Sequence, residues 1–393
     1  MTGSTTEEIF CYYRGRVALY ALLRALDLKR GDEVLLQAFT CLAVPSPVVG
    51  LGLRPVYLDI TKASYNLDPD QLEGRITNKA KAIIVQHTFG IPAEMDAVLA
   101  VAKAHNLAVI EDCAHVLGSK YRGTELGNWG DAAFCSYEWG KPLVVGLGGA
   151  AVVHSPGLAD KLRALYGELV VPPFRDRCLL NLQYFAHALL RRPALYWMLR
   201  DIFRRLTASG LLIGNFGEDE LAGSLNREFQ WKMGPSQARR LIRKLRRAQE
   251  TIAQCKRVAK RYETGLRELG LPCLDCPPGS EAVLLLYPMW AEDKPQVLAE
   301  ARRRRIELRD LFVSPIHPLA GDQWKNVGYV RGMCPVAEEA SRHVVSLPVN
   351  GVRTTDVDRN LEFLCNIRDR GLIRRSTENR SAADMKELTA TRN

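Results

Sequence analysis

The chain has 393 residues, 47% hydrophobic and 25% charged, with a net charge of +10 and a pI near 9.1. That length supports two domains with sizeable cores, and no apolar run is long enough to span a bilayer. The basic excess, concentrated in 175–205, 239–247 and 302–305, favours an anionic partner. No nucleic-acid motif accompanies it, so a small anionic substrate or an acidic membrane surface is expected rather than DNA or RNA.

In chain order, a helical run over 17–28 leads to a strand at 33–36, a helix over 45–52 and a strand at 55–59. Asp68 is a plausible N-cap and Pro69 a first helical residue for a short helix over 68–74. A strand at 82–87, a helix over 95–105 and a strand at 108–112 follow. Strands this apolar, alternating with helices, predict a mostly parallel sheet covered on both faces. Ligands of such sheets sit at the carboxyl ends of the strands, where His87 and Asp112 fall. The segment 172–216 breaks the pattern: it is rich in Leu, aromatics and Arg, with Pro193 between two helical pieces. It reads either as a helical insertion packing on the body or a second subunit, or as an amphipathic basic surface over 175–216 that meets membrane or a lipid-linked substrate.

Pro235 opens a predicted long helix, with Leu241, Leu245, Ala248, Ile252, Cys255, Val258, Tyr262 and Leu266 on one face. A strand at 282–287 and helices over 295–305 and 355–368 build an α+β unit. The expected organisation is a large domain over 1–240, a smaller domain over 241–372 that includes the linking helix, and a disordered polar tail over 373–393. Met1 to Glu8 lacks the basic-then-apolar pattern of a leader, so a cytoplasmic location is expected. The ten cysteines fit that if reduced, and Cys41, Cys113, Cys135 and Cys365 read as small core residues. Cys273 and Cys276 lack a second pair at zinc-site spacing, and no metal site is expected.

The chemistry concentrates between 109 and 153. Val109-Ile110-Glu111-Asp112 ends a strand on an acid; Ser136 lies five residues before Lys141; Gly146-Leu147-Gly148-Gly149 follows. This set suits pyridoxal 5′-phosphate (PLP). Lys141 would hold it through its amine, Asp112 would pair with its ring nitrogen, and Ser136 would bind its phosphate.

These residues resemble the DegT/DnrJ/StrS family of sugar aminotransferases over about residues 15–364. The likeness is carried by Asn66-Leu67-Asp68, Gln86-His87, Glu94-Met95-Asp96, Ile110-Glu111-Asp112-Cys113-Ala114-His115, Gly127-Asn128-Trp129-Gly130-Asp131, Phe134-Cys135-Ser136 and Ser346-Leu347-Pro348. The resemblance implies the aspartate aminotransferase-like (type I) PLP fold, α/β with a seven-stranded-type sheet. It also implies a homodimer, a keto sugar substrate linked to a nucleotide, and glutamate as amino donor. It makes Lys141 the proton carrier, puts His115 near the phenolic oxygen side of the cofactor ring and lays Ala114 against a ring face. Gly15 and Arg16 take the place of the family's phosphate turn. Gln230 stands where the family has an Asn that reaches the neighbouring subunit's phosphate.

Several residues depart from the family pattern. Arg16 replaces a Thr, Cys41 stands where an aromatic often stacks on the ring, Leu147 replaces a Glu, and Glu138-Trp139-Gly140 is atypical. The alternatives kept open are the same chemistry on a lipid-linked ketone and a non-catalytic paralogue.

Overall fold

The computed structural model describes residues 7–190 and 195–374. Its centre is a seven-stranded sheet in the order β1-β10-β9-β6-β5-β2-β4. The strands are β1 (Glu8–Tyr12), β2 (Glu33–Gln37), β4 (Arg54–Leu58), β5 (Ala80–Gln86), β6 (Ala108–Asp112), β9 (Ala132–Ser136) and β10 (Gly149–Val153). From β9 to β4 every pairing is parallel, while β10 runs antiparallel to both β9 and β1. The run Val34-Leu35-Leu36 shows why both faces are apolar. Val34 and Leu36 join the core that includes helix α1 (Gly15–Ala25), and Leu35 joins the opposite core beneath α3 (Met95–Ala104). Successive side chains of a strand point to opposite faces, so a sheet clothed on both sides needs an unbroken apolar run.

Small ladders complete the large unit. β3 (Thr40–Cys41) pairs with β13 (Ile316–His317), while β7 (Lys120–Tyr121), β8 (Thr124–Glu125) and β11 (Ser280–Glu281) form a three-stranded flap. Helix α2 (Pro45–Gly50) is shorter than expected, and 68–74 forms two 3-10 turns rather than an α-helix. Asp68 caps the first turn as expected, accepting from the Asp70 N–H at 3.2 Å. Helix α4 (Pro156–Gly167) follows β10.

The later elements differ from the expectation in two places. The helix expected to run from Pro235 to Leu266 is two helices, α8 (Pro235–Leu245) and α9 (Ala248–Glu268). No Gly or Pro marks the break, because the two halves serve different partners. Arg240 of α8 donates to Val145 O at 3.1 Å, whereas Tyr262 of α9 accepts from Asn360 of α12 (Thr354–Asp369) at 2.7 Å. The strand expected at 282–287 lies instead at β12 (Leu286–Trp290), antiparallel to β14 (Val344–Pro348), with α10 (Lys294–Arg303) and α11 (Pro335–His343) alongside. Ile373, assigned to the disordered tail from sequence, is buried and bridges to Ala291. The remainder of that tail from 375, and Pro193, lie outside the described residues.

The insertion is helical as expected: α5 (Phe174–Leu190), α6 (Tyr196–Ala208) and the single turn α7 (Glu218–Leu221). It is anchored on both units. Leu180 is buried with Tyr13, Leu147 and Trp231, and the Trp197 Nε1–H donates to Ile306 O at 2.7 Å.

Candidate active site

Parallel strands end on one edge of the sheet, and the candidate residues collect there. Asp112 closes β6 between Gln86 of β5 and Phe134 of β9. Ser136 closes β9, and the loop after it carries Lys141 back over the strand ends. The Lys141 charge acts on Asp112, His115, Cys41 and His317, which gathers five residues far apart in sequence around one point.

Asp112 is 3% exposed, and the Ala114 N–H donates to its Oδ1 at 2.9 Å. Burial pushes its pKa up, against the opposing pull of that N–H and of the Lys141 charge. A buried carboxylate so placed wants a cationic donor, and a protonated pyridine nitrogen is one. His115 accepts from the Phe89 N–H through Nδ1 at 3.1 Å. Burial and the nearby Lys141 charge hold its pKa well below the usual range, so the ring is neutral and carries its proton on Nε2. Its ring stacks on Phe89, 6.2 Å between centroids and 13° between planes.

The phosphate end is built by α1 and β9. A Cβ on Gly15 would come within 3.0 Å of Ser136 Cβ and 3.3 Å of its Oγ, so the helix start and the serine hydroxyl share one cradle. Free N–H groups at a helix start attract anions, and a hydroxyl adds a donor. Gly149 serves the same turn: a Cβ there would sit 2.4 Å from Gly15 N. Buried in the same region, Arg16 Nε has no hydrogen-bond partner among the described residues. These features fit PLP: a carboxylate for the ring nitrogen, a primary amine for the carbonyl carbon and a donor cradle for the dianion.

Other expected residues are placed differently. Arg16 is mostly committed to protein: Nη1 donates to Glu220 at 2.5 Å and Nη2 to Asn215 O at 2.6 Å. His87, expected at a ligand-facing strand end, is fully buried and uses both ring nitrogens. The Ala93 N–H donates to Nδ1, and Nε2 lies 3.1 Å from Glu111. Glu111 also accepts from the Gly127, Trp129 and Gly130 N–H groups. Burial alone would raise its pKa, but His87 and those amides outweigh it and hold it low. His87, Glu111 and Cys113 are close enough to suggest metal ligands, yet this network already uses the ring and the carboxylate. Cys41 sits on β3 directly opposite His317, and Ala114 packs against the core. Gln230 is exposed, its carbonyl accepting from the Val170 N–H.

Sequence reading missed a buried charge cluster beneath the lysine loop. Arg14 donates to Glu138 at 3.2 Å, to Glu228 at 2.5 Å and to Gly214 O at 2.8 Å. With Arg16 and Glu220 it ties the end of the insertion to the cradle. Removing one partner of such a cluster leaves a buried unpaired charge and costs about 3–5 kcal/mol. The signal was the atypical Glu138, three residues before Lys141.

Comparison with known proteins places the chain in a family. The sequence profile of the DegT/DnrJ/EryC1/StrS aminotransferase family matches residues 12–172 and 199–362. The chain belongs to that family. A pleiotropic regulatory protein of Geobacillus stearothermophilus is 40% identical over 38% of this chain and 41% of its own length. The GDP-perosamine synthase of Escherichia coli O157:H7 is 36% identical over 39% of this chain and 42% of its length. The chain thus spans about two fifths of these relatives. Over nearly the whole chain, structures of a Streptococcus pneumoniae protein in its PLP and PMP forms superpose with TM-scores of 0.68 and 0.71. They are 23% and 21% identical and cover 93% of this chain and 88% of that one, which shows the shared fold. The profile gap at 173–198 falls within the insertion.

Proposed function

We propose that this chain is a PLP-dependent aminotransferase that moves an amino group from an amino acid, L-glutamate by preference, to a keto sugar carried on a nucleotide. The observation that supports it most is the meeting of Lys141, Asp112 and the Gly15–Ser136 cradle at one edge of the sheet. Bound PLP supplies an electrophilic carbon that captures amines and a ring that withdraws electrons. Lys141 Nζ would hold the cofactor, and its free amine would carry the proton of amino transfer. The Asp112 carboxylate accepts the ring N–H and keeps its proton in place. His115, neutral, offers Nε2–H to the ring oxygen. Ala114 would flank the ring, Cys41 lies within reach of the lysine's charge, and Ser136 with the first amides of α1 and Arg16 Nε would hold the phosphate. The chain acts as a homodimer, and Gln230 of the partner subunit completes the phosphate site. The GDP-perosamine synthase relative and the net charge of +10 support a nucleotide sugar.

The test is amino transfer by the holoenzyme from L-glutamate to keto nucleotide sugars, followed by 2-oxoglutarate release. Release that depends on the sugar is expected; no release with any amino donor would contradict the reading.

A second reading concerns location. The α5 face bearing Phe174, Leu182, Phe185 and Leu189 is 65–80% exposed, and Arg175, Arg204 and Arg205 are exposed nearby in sequence. Among the described residues no helix is long and apolar enough to cross a membrane. An apolar face beside arginines suits the surface of an anionic bilayer, where a lipid-linked substrate would be met.

A further inference from the structure

The segment that closes the insertion, residues 214–228, is held on the start of α1 by two arginines. Arg14, just before the helix, donates to Gly214 O at 2.8 Å and to Glu228 at 2.5 Å. Arg16, 3% exposed, is enclosed by the same segment. Its Nη1 donates to Glu220 Oε1 at 2.5 Å and its Nη2 to Asn215 O at 2.6 Å, and its guanidinium carbon stands 4.8 Å from the centre of the Phe216 ring. Glu220 is itself 1% exposed, and its other oxygen accepts from the Gly217 N–H at 3.2 Å.

Two features of this seat bear on the neighbouring cradle. The first is a donor left over. Arg16 Nε is buried without a partner among the described residues, and Arg16 follows Gly15 at the helix start. A buried N–H with no acceptor is costly, so an anion's oxygen is favoured there. The second is the charge balance. Two guanidiniums, Arg14 and Arg16, meet three carboxylates, Glu138, Glu220 and Glu228. The cluster therefore holds one acid more than it has cations. A phosphate dianion in the cradle adds to that surplus, and the cation with a donor to spare is the one Glu220 already holds.

We propose that Glu220 is a positioning residue that competes with the cofactor's phosphate for Arg16, so that the seating of 214–228 and the affinity for PLP oppose each other. This rests on the aminotransferase reading, in which PLP occupies the cradle. The carboxylate and the phosphate are like charges that share one buried cation, where water screens them little. Drawing the guanidinium toward the phosphate loosens its hold on Glu220 and Asn215. Removing the charge at 220 leaves the guanidinium to the phosphate. The coupling is reciprocal: what the segment does to PLP binding, PLP does to the seating of the segment.

The test titrates the full chain, stripped of cofactor, with PLP and with pyridoxal, which lacks the phosphate, while the cofactor's absorbance is followed. Wild type, Glu220→Gln, Arg16→Gln and the double variant are compared. Glutamine keeps the size of the side chain and an acceptor but removes the charge. In Glu220→Gln the half-saturating PLP concentration should fall about 10-fold, and that for pyridoxal should not change. In the Arg16→Gln background the same substitution should have no effect on PLP. In wild type, amide hydrogen exchange over 214–228 should be faster with PLP bound than with pyridoxal bound. Thermal midpoints of the stripped proteins report folding; if Glu220→Gln does not fold, the exchange measurement on wild type decides. Unchanged or weaker PLP binding in a folded Glu220→Gln, an equal gain for pyridoxal, or exchange over 214–228 that is equal or slower with PLP would overturn the inference and leave the aminotransferase reading standing. A wild type that binds no PLP would remove both.

Discussion

At the scale of single residues, the groups that sequence singles out are those whose chemistry admits few substitutes. A primary amine, a buried acid and a small hydroxyl at fixed offsets left few alternatives to Lys141, Asp112 and Ser136. The groups whose surroundings sequence did not show are those held by distant partners. Glu220, 204 positions away from Arg16, and Asn215 hold its two Nη atoms and leave only Nε for a phosphate, and both ring nitrogens of His87 have partners within the protein. His317 shows how burial, with nearby cations, sets behaviour. Burial, against the opposing pull of Asp310, holds its pKa at about 4, and His115 is likewise lowered. The folded-state pKa therefore lies below the unfolded value of 6.5. Between the two values the unfolded chain binds more protons, so stability is full above pH ~6.5 and falls as the pH drops toward ~4. A urea midpoint that declines between pH 7.5 and 5, with a shallower decline in His317→Gln, is expected. A midpoint that does not change across this range would contradict the burial argument.

At the scale of elements, the insertion explains most of the departures around the lysine. Leu147 packs on Leu180, Trp139 meets Tyr184 and His187, and Glu138 takes Arg14, which also bonds the end of the insertion. Leu147 and Trp139 face an element that follows them in the chain, and Glu138 reaches it through Arg14. In the sequence the oddities and the insertion stand separately, because nothing local joins residues 30 or more positions apart. Composition pointed to helices within 172–216, but not to which face they bury. The structure leaves Phe174, Leu182, Phe185 and Leu189 outward. If that face meets anionic bilayers, the full chain will float with phosphatidylglycerol-containing vesicles and stay behind with phosphatidylcholine alone. The triple change Leu182→Asp, Phe185→Asp and Leu189→Asp should abolish flotation without altering the cofactor band. No flotation in wild type would end the membrane reading. A triple variant that instead loses its dimeric mass would assign the face to a second copy.

At the scale of the whole molecule, the parallel half of the sheet was legible because a strand buried on both faces must be apolar throughout. The antiparallel edge of β10 and β1 was not, because Gly149–Val153 reads as equally apolar whichever way it runs. The division of the helix at residues 246 and 247 escaped for a related reason: the apolar period continues across a break with no Gly or Pro to mark it. What the whole chain achieves is to bring strand ends, a helix start, an inserted helix and a C-terminal unit around one lysine. The central claim is that Lys141 is the residue that holds PLP. The direct measurement is borohydride reduction of the PLP-loaded protein, followed by peptide mass mapping. The account predicts a reduced phosphopyridoxyl adduct on the peptide bearing Lys141, absent from Lys141→Ala. An adduct on a different lysine, or none on a protein that retains its cofactor band, would contradict it.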